Sequence, residues 1–207
     1  HVAVVFDIEP KWHIYWLNAG DSGTPTEVTV EAPKGWKTGA TLYPRPHRFK
    51  EPDGVAYGYE RRTVLYVPVT APTTLEDDEV TLDVDVFFLV CKDVCLMGSV
   101  QKSVVVRTSS GPVAPTPVVD RTLIDFKKRL PKPLADLKGA GIRVDGDRLV
   151  IDGPAGGMNT VTAFPDWVPG VVLAEASTAS VAEDRFHVQM PLSTEPQNAE
   201  GPLVARG

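Results

Sequence analysis

Apolar residues recur at every second position over short stretches of this chain, and Pro, Gly or Asp closes most of the stretches. Val2, Val4, Phe6 and Ile8 fall on one face of an extended backbone, and residues 26–32 alternate in the same way. A period of two commits such segments to half-buried β-strands, because a helix would scatter the same residues around its axis. The 19 prolines and 17 glycines are dispersed among β-branched runs, which gives many turns and not a low-complexity chain. The expectation is an all-β protein.

Residues 12–16 begin a second strand, with Trp12, Ile14 and Trp16 on one face and His13 and Tyr15 on the other. The tryptophans read as core. Residues 18–25 form a dense turn cluster, in which Asp21 and Ser22 turn the chain with Gly23. Across residues 42–58, Pro44, Pro46 and Pro52 lack amide hydrogens, which predicts an irregular loop with Arg45, His47 and Arg48 as a solvated face. Residues 62–70 resume as a strand, and Glu76 to Glu79 is a solvated turn. Residues 80–90 make a long strand, with 100–108 as its return. Uneven strands of this kind suit a β-sandwich.

The organisation read from this pattern is a sandwich at 1–110, a linker at 111–134 and a second, smaller β domain at 135–207. Residues 109–117 are rich in Ser, Gly and Pro. Leu123, Phe126 and Leu130 have helical spacing, and Pro131 and Pro133 stop that helix. Strands are expected at 142–144, 148–151, 160–164, 171–174 and 186–190, with Trp167 anchoring their core.

The chemistry lies in Cys91-Lys-Asp-Val-Cys95. Two cysteines this close bond only if the residues between them turn, since a flat strand would hold their Cα atoms about 13 Å apart. Lys92 and Asp93 supply a turn pair, so Cys91 sits at a strand end and Cys95 at the start of the return path. Lys92 favours a thiolate beside it and Asp93 opposes one. Three roles stay open on the residues alone. The first is a reversible dithiol, which needs a sulfur that an incoming thiolate can reach. The second is a soft-metal site for Cu(I) using Cys91, Cys95 and Met97. The third is a staple, whose entropic return for so short a loop is about 2 kcal/mol or less.

Several function classes drop out. A formal net charge of -6, with no basic stripe, gives nucleic acid no footing. No run nears the roughly 18 apolar residues of a membrane span, and no direct lipid binding is expected. There is no phosphate-binding loop, nucleophile elbow or His-Glu-x-x-His motif, and no cofactor is called for. The chain starts at His1 without a methionine, which fits a processed or excised piece.

Four segments carry a family resemblance: Trp12-His-Ile-Tyr-Trp16, Asn18-Ala-Gly-Asp-Ser-Gly-Thr-Pro25, Tyr57-Gly-Tyr-Glu60 and Phe88-Leu-Val-Cys-Lys-Asp-Val-Cys-Leu96. In order and spacing they resemble the N-terminal periplasmic region of the DsbD-type thiol:disulfide interchange proteins, and within these the ScsB-like subgroup linked to copper tolerance. The resemblance implies an immunoglobulin-like fold, a periplasmic location with possible tethering to a membrane protein, and a redox pair at Cys91 and Cys95. It implies electrons arriving from a transmembrane electron-transfer domain, often through thioredoxin-like oxidoreductase domains, and leaving to partner proteins. It implies a cap loop within or just before residues 55–60, with Tyr57 and Tyr59 as shield or partner contacts and Glu60 as a polar neighbour. Two features depart from the family pattern. The cysteines stand closer together than in the best-known members, and Leu96-Met97-Gly98 replaces a proline that often follows the second cysteine.

Overall fold

The computed structural model describes residues 1–51, 54–75, 77–108, 121–164, 172–173 and 178–193. Glu76, the expected linker segment at 109–117 and Trp167 lie outside the described residues. The chain divides into two compact units, His1–Pro131 and Lys132–Gly207.

The first unit contains β1 (Val2–Asp7), β2 (His13–Gly20), β3 (Glu27–Glu31), β4 (Lys37–Thr38), β5 (His47–Glu51), β6 (Gly54–Glu60), β7 (Arg62–Val67), β8 (Val69–Thr70), β9 (Glu79–Cys91), β10 (Cys95–Arg107) and the helix α1 (Arg121–Lys127). Among the described residues, β10, β9, β2, β6 and β5 lie side by side in that order, with β3 also paired to β9. β1 pairs with β7, and β4 with β8. The inner face of the large sheet brings Ile14, Val28, Val30, Tyr59, Val80, Leu82, Val84 and Val86 against Leu65 and Val67 of β7, and Val2, Val4 and Phe6 pack on the same core. This is an immunoglobulin-like sandwich. Its register follows from period-two alternation, since a slip of one residue would turn Thr81, Asp83 and Asp85 inward. Each fully buried aliphatic side chain contributes about 1.5–3 kcal/mol. The outward Asp83 and Asp85 instead accept hydrogen bonds from Ser103 and Gln101 of β10.

β7 is buried on both faces. Leu65 and Val67 face the core while Val64 and Tyr66 are equally enclosed, and the Tyr66 hydroxyl donates to the Leu123 carbonyl of α1. The Arg45 amide donates to the Arg129 carbonyl at 3.2 Å. The helix therefore belongs to the first compact unit. Pro68, which has no amide hydrogen, separates β7 from β8.

Residues 42–58 are not the irregular loop that their prolines predict. They hold β5 and most of β6, paired antiparallel from His47↔Gly58 to Glu51↔Gly54. Pro44 and Pro46 precede β5, so neither removes a ladder hydrogen bond. The turn cluster also starts later than expected. β2 runs on to Gly20, and the register on β6 shifts between Tyr15 and Gly20. Gly20 has φ of +92°, and a Cβ there would stand 2.1 Å from the Val55 carbonyl oxygen, so only glycine fits. Asp21 does not close a local turn through its side chain. Its carboxylate accepts the Val55 amide at 2.8 Å.

The second unit contains β11 (Gly141–Asp145), β12 (Arg148–Pro154), β13 (Val172–Leu173), β14 (Thr178–Ala182) and β15 (Arg185–Ser193). Among the described residues the order is β11, β12, β15, β13, with β14 also on β15. Leu149, Phe186, Val188 and Met190 form its core. Residues 160–164 are irregular and not a strand. Val161 and Ala163 still pack on that core, so their alternation reported burial and not strand pairing. β14, built from small residues, carries too weak a pattern to be found in the sequence.

Candidate redox site

Cys91 is the last residue of β9 and Cys95 the first of β10, and the two stand directly opposite each other in the strand register. Lys92, Asp93 and Val94 form the three-residue turn between them, closed by the Lys92 amide donating to the Val94 carbonyl at 3.1 Å. Antiparallel neighbours approach closely enough for a bond. The Cα atoms are 4.1 Å apart and the sulfurs are joined as a disulfide.

The two half-cystines have different surroundings. Cys91 is 2% exposed and belongs to a small apolar cluster with Tyr15, Ala19 and Ala56, on which Phe49 and Leu89 pack. Cys95 is exposed, and the residues around it are open as well: Val94 is 61%, Leu96 54% and Met97 78% exposed. Alternation along β9 assigns the faces. Val86, Phe88 and Val90 pack with the main core, so Leu89 and Cys91 point to the other side of the sheet. The disulfide is therefore at a strand end and on the outer face of the sandwich. Gly98 is a mid-strand residue of β10, not part of a turn. A Cβ there would meet the Phe88 ring at 2.5 Å.

A polar group adjoins Cys91 on this outer face. β2 pairs with β9 through His13↔Cys91 and Ile14↔Val90, which makes His13 the cross-strand neighbour of the buried cysteine. The His13 ring stacks on Phe49 with centroids 4.9 Å apart and 20° between planes, and meets Tyr15 edge-on at 5.1 Å. His13 Nε2 lies 2.9 Å from Glu51 Oε1, although the ring hydrogen is not well aligned with that oxygen. Ser22 Oγ donates to Glu51 Oε2 at 2.6 Å. Burial, and then the charge and hydrogen bond of Glu51, raise the Tyr15 phenol to about 12.

The residues expected as shield or partner contacts lie on β6. Tyr59 is a core residue on the inner face, and its hydroxyl donates to the Pro44 carbonyl at 2.7 Å. Tyr57 meets Trp16 edge-on at 6.4 Å, and Trp16 packs on the same main core. Glu60 does share the outer-face row, opposite His13. Lys92 and Asp93 are in the turn, and their charged groups approach to 3.7 Å on exposed side chains, so each offsets the other beside the pair. Sequence reasoning missed Phe49, Glu51 and Ser22 as neighbours of the site and gave His13 no part in it. The available signal was the opposite parity of His13 and Tyr15 to Ile14 and Trp16. Among the described residues no group of three His, Cys, Asp or Glu is placed to hold a metal ion, and no helix is long and apolar enough to cross a membrane.

The sandwich presents a disulfide at a strand end, with one half-cystine enclosed and the other open, a geometry that suits thiol–disulfide exchange. The family model described as "Thiol:disulfide interchange protein DsbD, N-terminal" matches residues 1–106, and the chain belongs to this family of periplasmic redox domains. The crystal structure of the N-terminal periplasmic domain of ScsB from Proteus mirabilis is similar in fold. It has a TM-score of 0.66 at 14% sequence identity, over 97% of this chain and 76% of that one. No curated protein matches the chain in sequence.

Proposed function

We propose that the Cys91–Cys95 pair is an electron carrier of the periplasm, loaded by a membrane reductase through a thioredoxin-like domain and discharged onto partner proteins. The observation that carries this reading is the contrast between exposed Cys95 and enclosed Cys91 at one strand end. An incoming thiolate can reach Cys95 and form a mixed disulfide, with Cys91 leaving as thiolate. The partner's second thiolate then releases Cys95, and the domain holds two more electrons. Discharge runs the same steps in reverse. Apolar Val94, Leu96 and Met97 around Cys95 suit docking of a protein surface. Membership of the family supports both kinds of partner.

The test is a trap. A Cys91→Ser variant leaves Cys95 free and should accumulate a mixed disulfide with a thioredoxin-like domain, while Cys95→Ser should accumulate little. Equilibration in graded thiol buffers should also interconvert the oxidised and reduced forms of the unaltered domain. No trapped species from either variant, together with a bond that periplasmic dithiols cannot reduce, would refute the carrier role.

A further inference from the structure

The enclosure of Cys91 creates a chemical problem that the exchange cycle has to solve. When the reduced domain gives up its electrons, open Cys95 attacks the partner disulfide and becomes part of the mixed disulfide. Cys91 must then lose its proton and attack the Cys95 sulfur, expelling the partner thiolate. A thiol in apolar surroundings holds its proton more tightly, and Cys91 sits among Tyr15, Ala19, Ala56 and Leu89, away from free water. A base is needed beside it.

We infer that His13 is that base, taking the proton from the Cys91 thiol as the mixed disulfide resolves. Its position follows from the register. His13 and Cys91 are directly opposed on adjacent strands, and opposed residues share a face with Cβ atoms about 4.5–5.5 Å apart. The ring is fixed rather than free, stacked on Phe49 and edge-on to Tyr15. Glu51, with an oxygen 2.9 Å from Nε2, stabilises the imidazolium that forms.

The remaining groups facing the ring fit this role. Tyr15 stays a neutral phenol beside Glu51. Glu60 stands opposite His13 on β6. Lys92 and Asp93 at the turn largely cancel. In the balanced step the Cys91 S–H proton passes to the imidazole, the Cys91 electron pair forms the bond to Cys95 Sγ, and the Cys95–partner bond breaks with its electrons on the partner sulfur. The imidazolium then returns the proton to that thiolate or to water. His13 thereby acts on the second step and leaves the first, at open Cys95, to proceed without it.

This inference rests on the exchange reading, and the test separates the two. Reduced protein is mixed with dithiobis-nitrobenzoate, and the coloured thiolate is followed in time. Cys95 releases the first equivalent, and attack by Cys91 releases the second. His13→Phe keeps a ring against Phe49 but cannot take a proton. It should leave the first release unchanged and slow the second about 10²-fold near neutral pH, with the deficit closing in alkali as Cys91 ionises unaided. Glu51→Gln should also slow the second release, though less than His13→Phe does, since the charge beside Nε2 no longer stabilises the imidazolium that forms as the proton moves. A His13→Phe second phase with unaltered rate and pH profile would overturn the inference and spare the carrier reading. Should that variant not fold, an unchanged rate of second release in Glu51→Gln overturns it equally. Absence of any second release from the unaltered protein would count against the exchange function itself.

Discussion

Reducing the Cys91–Cys95 bond should leave the first unit folded, at a cost of about 2 kcal/mol, and this figure separates a carrier from a staple. The cysteines are four apart in sequence. For a closed loop of about five residues, the chain-entropy relation gives about 2 kcal/mol at room temperature. Nothing in the native state adds much to that. The ladder from Cys95↔Cys91 to Arg107↔Glu79 already holds the ends of the loop together without the bond. The thiol left at Cys91 behaves as a small apolar group in an apolar cluster. Ordinary domain stability is about 5–15 kcal/mol, so the reduced form should persist. Amide hydrogen exchange along β9 and β10 reads this directly. Protection of the slowest amides should fall by about 30-fold on reduction, the equivalent of about 2 kcal/mol. By the same thermodynamic cycle, disulfide formation should be about 30-fold more favourable in the folded than in the unfolded chain. A loss of protection beyond about 10³-fold, or unfolding of both strands on reduction, would show that the bond holds the fold, and the argument from loop length would be wrong.

Phe49→Ala should expose the cluster around Cys91. Its partly buried ring makes the cost about 2 kcal/mol, below the 3–5 kcal/mol of a fully buried phenylalanine, and reduction by dithiothreitol should speed up; an unchanged rate would deny Phe49 any covering role. Tyr59→Phe should cost about 1–2 kcal/mol, because the buried Pro44 carbonyl loses its donor. Exchange kinetics should stay within about twofold, since Tyr59 is on the inner face; faster exchange would restore it as a shield. Stability should also fall at high pH. Burial, with Glu51 for Tyr15 and Glu27 for Tyr43, raises both phenols from 10.0 to about 12. The unfolded chain therefore ionises first, and the stabilisation present below pH 10 is lost between about pH 10 and 12. Urea midpoints across that window should decline, with a shallower slope for Tyr15→Phe.

Much of the fold was legible because strand identity is a local property. Val80, Leu82, Val84 and Val86 alternate with polar residues in the sequence and face the core in the structure. The cysteine turn was legible for a similar reason, since three residues must reverse the chain if the sulfurs are to meet. The prolines at 44 and 46 misled because their effect depends on whether they fall inside a paired strand, and they fall just before one. The inward placement of Tyr59 was not legible, because proximity in sequence to a resembling motif does not say which face a side chain takes.

The sequence by itself determined that this is a β protein with two cysteines brought together at a strand end, because alternation and turn chemistry act over a few residues. Only the tertiary structure decided what surrounds that pair. His13 meets Cys91 through the pairing of β2 with β9, far apart in the chain, and Phe49 and Glu51 come to the site because β5 pairs with β6 and β6 with β2. The register of such pairings is set by how all the strands pack at once, and one residue of slip would send the same side chains to the opposite face.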